Sequence, residues 1–170
     1  MNQGDFDLYA LYVAMDQKRQ SRSMTWAEVT REVNSPLPGL RSISTSTITG
    51  VRGRGSVEGD GVLQMLRWLD RTPEAFCTGI KCTESLSAQL PGLKAGEALR
   101  FDPKAIYAAV AHERVMQRMT WQEVAQAIGN VSPAKLQRLE AGGRVGFPSV
   151  MRVLHWLGRP ASTFMQRTPW

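Results

Sequence analysis

Two long stretches of this 170-residue chain resemble each other, and a chain built from two similar units can adopt only folds that accept both. Phe6-Asp7-Leu8-Tyr9-Ala10-Leu11-Tyr12 corresponds to Phe101-Asp102-Pro103-Lys104-Ala105-Ile106-Tyr107, and Met24-Thr25-Trp26-Ala27-Glu28-Val29 to Met119-Thr120-Trp121-Gln122-Glu123-Val124, both at a separation of 95 residues. Further along the separation falls to 88, where Leu66-Arg67-Trp68-Leu69 matches Leu154-His155-Trp156-Leu157 and Phe76 matches Phe164. The first copy therefore holds seven extra residues, which fall in Ser35-Pro36-Leu37-Pro38-Gly39-Leu40-Arg41, where proline and glycine suit a surface loop. Two domains are expected, residues 5–76 and 100–165, joined by a partly ordered linker, residues 77–99. Ile80, Leu86, Leu90, Leu93 and Leu99 make that linker too apolar to run free in solvent.

Helix signals recur at matching places in both copies. Asp7 and Asp102 are N-caps, the second followed by Pro103 at the first helical position, and Phe101 is spaced to staple onto Ile106. Thr25-Trp26-Ala27-Glu28 and Thr120-Trp121-Gln122-Glu123 read as capping boxes that open a second helix. Ser44 and Ser132 open a third. The fourth carries Val62, Leu63, Leu66 and Leu69 in one copy and Val150, Val153, Leu154 and Leu157 in the other, at the three- and four-residue spacing of one buried face. Only a short piece of the linker, Glu97-Ala98-Leu99-Arg100-Phe101, alternates with period two. The expected fold class is all-α.

Charge divides the chain unevenly. Residues 1–90 carry ten basic and ten acidic side chains, residues 91–170 eleven basic and five acidic, so the second half holds the whole net charge of +6. Within the balanced half, Val33 to Val57 contains Arg41, Arg52 and Arg54 and no carboxylate. Basic patches of this kind suit an anionic partner, most often nucleic acid, and a surface tuned for solubility is the competing reading. No apolar run approaches the roughly 18 residues a membrane span requires, and the first residues lack a secretory pattern, so a cytoplasmic protein with no membrane partner is expected.

Met119-Thr120-Trp121-Gln122-Glu123-Val124-Ala125-Gln126-Ala127-Ile128-Gly129, followed by Val131-Ser132-Pro133-Ala134-Lys135-Leu136-Gln137-Arg138-Leu139-Glu140-Ala141-Gly142, resembles the helix-turn-helix of the Cro/XRE family of phage-repressor-like DNA-binding proteins. In the first copy the resemblance rests on Ser44-Thr45-Ser46-Thr47-Ile48-Thr49-Gly50-Val51 and on symmetry with the second. It implies two tandem five-helix, lambda-repressor-like helix-turn-helix domains forming a pseudo-dimer, each laying its third helix in the major groove of double-stranded DNA. Ile48, Val51, Leu136 and Leu139 are then inward anchors. The positions left to face DNA are Thr45, Ser46, Thr47, Thr49, Gly50, Arg52 and Arg54 in one copy, and Pro133, Ala134, Lys135, Gln137, Arg138 and Arg144 in the other.

Among these, Arg138 has the chemistry to read a guanine edge bidentately. Arg52 and Arg54 suit backbone phosphates, which add salt-sensitive affinity without sequence choice. Both copies depart from the family by placing tryptophan, Trp26 and Trp121, where glutamine usually opens the second helix, and for these residues core or interface packing is the expected role. The family's ion pair between first helix and recognition helix is expected between Arg114 and Glu140, whereas the first copy sets Arg52 opposite Arg19.

Other constellations carry no chemistry. Gly50, Gly53, Gly55, Gly59 and Gly61 lack the Gly-Lys-Ser/Thr ending of a phosphate loop. His112 and His155 have no nucleophile or carboxylate pair at catalytic spacing, and Cys77 and Cys82 have no histidine at zinc-ligand spacing. No enzyme activity, cofactor or metal is expected. The partner is double-stranded DNA, bound by a monomer acting as a pseudo-dimer or by a homodimer. The alternative is a protein partner met through the same surfaces, which Pro133, Ala134 and Gly50 at contact positions favour.

Overall fold

The computed structural model describes residues 5–35, 42–53, 57–78, 90–143 and 145–169. They fold into eight α-helices, a two-stranded sheet and short 3-10 turns. In the first half these are α1 (Leu8–Ser21), α2 (Trp26–Asn34), α3 (Thr45–Gly50) and α4 (Gly59–Leu69); in the second, α5 (Pro103–Met116), α6 (Trp121–Ile128), α7 (Pro133–Glu140) and α8 (Phe147–Leu157). A 3-10 turn follows each fourth helix, at Pro73–Phe76 and Ala161–Phe164. Most of the seven-residue insertion, the linker from 79 to 89, Cys82, Arg54 and Arg144 lie outside the described residues.

The starts of six of these helices, all but α4 and α8, are fixed locally by a side-chain cap. Asp7 accepts the Ala10 N–H at 2.9 Å and Asp102 accepts that of Ala105 at 3.0 Å. Thr25 and Thr120 each make a complete capping box with Glu28 and Glu123. Ser44 and Ser132 cap α3 and α7. A cap of this kind is worth about 1 kcal/mol, enough to choose where a helix of six to nine residues begins. Both fourth helices end on a residue in the left-handed region, Asp70 and Gly158.

The expectation of an all-α chain is corrected by the sheet. Strand β1 (Glu97–Phe101) pairs antiparallel with β2 (Met165–Pro169), in a register that sets Phe101 opposite Met165 and Glu97 opposite Pro169. In the first half the same place is held by a single bridge, Phe6 to Cys77. The parallel extends to the backbone: Asp7 N–H donates to Phe76 O and Asp102 N–H to Phe164 O, each at 2.8 Å. The sheet is thus a lengthened form of a contact common to both halves. The C-terminal segment has no alternation of its own, and it becomes a strand because β1 offers a free edge.

Burial on the fourth helices is wider than one face. On α4, Gln64, Met65 and Trp68 are buried beside Val62, Leu63 and Leu66, because α4 packs against α1, α2 and α3 on one side and against β1 of the other half on the other. The buried apolar residues of both halves form one connected cluster. Phe147 is its hinge point: fully buried, it lies edge-on to Phe6 at 4.7 Å between ring centroids and tilted to Phe101 at 5.6 Å.

Polar contacts then fix the relative setting of the halves. Phe147 N–H donates to Val57 O at 3.0 Å, Arg152 pairs with Asp5 at 2.6 Å, and Ala161 N–H donates to the Glu74 carboxylate at 2.7 Å. Glu74 is buried, and its carboxylate caps a 3-10 turn of the opposite half. Glu74→Ala leaves that N–H unsatisfied in the interior, and the expected loss in a urea melt is about 1–3 kcal/mol. A loss below a few tenths would show that water takes over the bond.

Candidate nucleic-acid interface

Each half builds its site on a stack of three side chains spaced by seven residues: Tyr12, Arg19 and Trp26 in the first, Tyr107, Arg114 and Trp121 in the second. The rings lie 5.6 Å apart at 23° in one and 5.4 Å apart at 15° in the other. The arginine covers the indole at 5.1 and 5.0 Å. Each arginine also donates to the carbonyl just before the capping box, Arg19 to Met24 O at 2.8 Å and Arg114 to Met119 O at 3.0 Å. One cation therefore holds the second helix by its indole and by its leading backbone. These tryptophans, half-buried in the stack, have the packing role expected for them.

That geometry overturns the ion pair expected between Arg114 and Glu140. Arg114 is turned onto Trp121 and Met119 O, and no Arg114–Glu140 pair forms among the described residues. Glu140 neighbours Tyr107 instead: burial, with the Glu140 charge added to it, raises the Tyr107 phenol above its ordinary range. In the first half Arg52 takes the place of Glu140 and lies over the Tyr12 ring at 5.4 Å, while Arg19 pairs with Asp16 at 2.8 Å. The stacks were missed in the sequence although the signal was there, a tyrosine, an arginine and a tryptophan at equal spacing in both copies.

The third helices sit on this frame as expected for their anchors. Ile48 and Val51 are buried in the first half, Leu136 and Leu139 in the second. On α7, Ala134, Lys135, Gln137 and Arg138 are exposed and Pro133 is half-buried. Neither Lys135 nor Arg138 enters an ion pair among the described residues, so two uncompensated cations share one short helix. Gly142, at φ +73°, closes the helix, and Gly143 N–H donates to Arg138 O at 2.9 Å.

The equivalent surface of α3 is different in kind. Ser46 and Arg52 are exposed, whereas Thr45, Thr47, Thr49 and Gly50 are half-buried. Every hydroxyl on the helix is engaged: Thr45 with Thr30 at 2.9 Å, Ser46 and Thr47 with Ser44 at 2.9 Å, and Thr49 with Thr45 O at 3.0 Å. Nearby cations on the first half are paired, Arg22 with Glu32 at 2.6 Å and Arg31 with Glu28 at 4.0 Å. Arg54 and Arg144, the remaining expected contacts, lie outside the described residues. His112 and His155 are exposed, and no group of three or more potential metal ligands occurs among the described residues.

Two measurements follow from this geometry. A Cβ on residue 143 would overlap Arg138 Cγ and lie 2.8 Å from Arg138 O, so Gly143→Ala is expected to cost about 1–3 kcal/mol in a denaturant melt and to move Arg138. Wild-type stability in that variant would show that the turn yields freely. The capping carboxylates give a pH dependence: hydrogen bonds from the Thr25 and Thr120 backbones, then from their hydroxyls, hold Glu28 and Glu123 below the ordinary glutamate range. Their contribution is complete above the unfolded pKa of about 4.3 and is lost as pH falls through the lower folded value. Melting temperatures of the Glu28→Gln, Glu123→Gln double variant should therefore fall less steeply with acid than those of the parent; parallel slopes would remove the boxes from the acid transition.

Neither a protein-family profile nor a curated protein nor a solved structure matches the chain.

Proposed function

We propose that α2–α3 and α6–α7 are two helix-turn-helix units of one chain, and that the protein binds double-stranded DNA in a sequence-specific way, as a transcriptional regulator of non-enzymatic kind. The observation that carries this reading is α7: a Ser132-capped helix anchored by buried Leu136 and Leu139 that turns Lys135, Gln137 and Arg138 outward without internal partners. A recognition helix needs that division of faces. Arg138 is the base reader, Lys135 meets phosphate, and Ala134 offers a methyl to thymine. Because the apolar cluster joins the halves, one chain presents both third helices together, as a pseudo-dimer. The two are chemically unlike, so the operator is not a perfect palindrome.

A second reading is favoured at α3. Its six residues carry no cation, and their hydroxyls are already bonded within the chain. Such a neutral, prebonded surface suits a protein partner, with the chain acting as an adaptor or antagonist of another DNA-binding protein.

Fluorescence anisotropy with random duplex at two salt concentrations separates these readings. Salt-sensitive binding supports DNA, and no binding at low salt leaves the protein partner ahead. On a selected operator, Arg138→Ala should weaken binding by about 1–3 kcal/mol and relax the preference at one base pair. Lys135→Ala should weaken all sequences alike and lower the salt slope. Unchanged binding in a variant altered on both third helices would rule out the major-groove assignment. No helix among the described residues is long and apolar enough to cross a membrane.

A further inference from the structure

The two fourth helices correspond residue for residue, α4 from Gly59 and α8 from Phe147, and their first residues differ by a whole ring. On one side of the junction between halves the Phe147 ring fills the space next to Phe6. On the other side Gly59 stands near Phe101, the counterpart of Phe6: a Cβ there would lie 3.7 Å from the Phe101 and Phe147 rings. Beside Gly59 and Phe101 lies a cavity of about 470 Å³, lined also by Ile106, Leu139, Val145 and Val150. Small-molecule sites span roughly 300–1,000 Å³.

The chemistry of the wall narrows the occupant. Asp60 and Arg100 line the cavity and pair with each other at 3.4 Å, and Glu58 is exposed to solvent and engaged within the chain, which favours a neutral guest. Thr168 also lines it, with a buried hydroxyl that has no hydrogen-bond partner. A guest bearing a carbonyl can supply the missing acceptor after a small shift. Gly142 and Gly143, the turn against which Arg138 lies, form another part of the wall.

We propose that this cavity binds a neutral small molecule built on a six-membered ring with a carbonyl acceptor, its ring taking the place that Phe147 takes on the opposite side. The assignment is independent of what the third helices bind. Benzamide, which has both features, is the probe, titrated into the full chain labelled with ¹⁵N. Saturable amide shifts at Gly59, Phe101, Gly142, Gly143 and Thr168 are expected, weakened about tenfold or more in Gly59→Phe, whose own ring enters the cavity. Thr168→Val should weaken benzamide several-fold and leave indole, which lacks the carbonyl, unaffected. Should Gly59→Phe fail to fold, Gly59→Ala, whose Cβ makes only ordinary contacts, should still weaken benzamide measurably. Absence of saturable shifts with benzamide at millimolar concentrations, or equal affinity in the parent and a folded Gly59 variant, would overturn the site.

Discussion

The ring of Phe147 is the contact through which the two halves become one structure. It is fully buried, touches Phe6 from one half and Phe101 from the other, and begins the helix that carries Val150, Met151, Val153 and Leu154 into the shared cluster. Burying such a side chain is worth about 1.5–3 kcal/mol, more than the Asp5–Arg152 pair is expected to yield once desolvation is counted. The apolar contact therefore supplies the attraction. Directional bonds, Phe147 N–H to Val57 O and Ala161 N–H to Glu74, select one setting among those that would bury similar area.

Around this junction the repeat is deliberately imperfect in its chemistry. Where each half folds on itself, caps, stacks and the bond from the first helix's N-cap to the closing 3-10 turn recur almost unchanged. Where the halves meet, glycine faces the role of phenylalanine, and Arg152 on α8 corresponds to buried Gln64 on α4, whose amide nitrogen has no partner. Two copies of either half would not satisfy this junction: two second halves would oppose Arg100 with Arg152, and two first halves would oppose glycine with glycine. Unlike halves are what the interface fits.

The same division shapes the candidate binding surface. The Tyr–Arg–Trp stacks hold both second helices in the same way, so the third helices are presented on equivalent frames. What they present is not equivalent. Exposed Lys135 and Arg138 on α7 are free to meet an anion, while the hydroxyls of α3 are spent within the chain, and Arg52 is drawn over Tyr12.

Caps and anchors were legible in the sequence because they are local: an Asp, Ser or Thr three residues before the N–H it accepts, or two apolar residues three apart, meets its partner wherever the helix goes. The repeat, the capped helix starts and the buried faces of α3 and α7 follow from such short-range rules. The position of Arg114 did not follow, since an arginine between an indole, a carbonyl and a distant glutamate is allotted by packing, and the stack won. Strand β2 was equally hidden, because Met165–Pro169 is a strand only beside β1. The cavity at Gly59 and the cap that Glu74 places on the other half arise from residues far apart in the chain, and only the docking of one half on the other brings them together. Contacts within a few residues set the capped helices; tertiary structure decided the sheet and which polar groups and empty spaces the elements share.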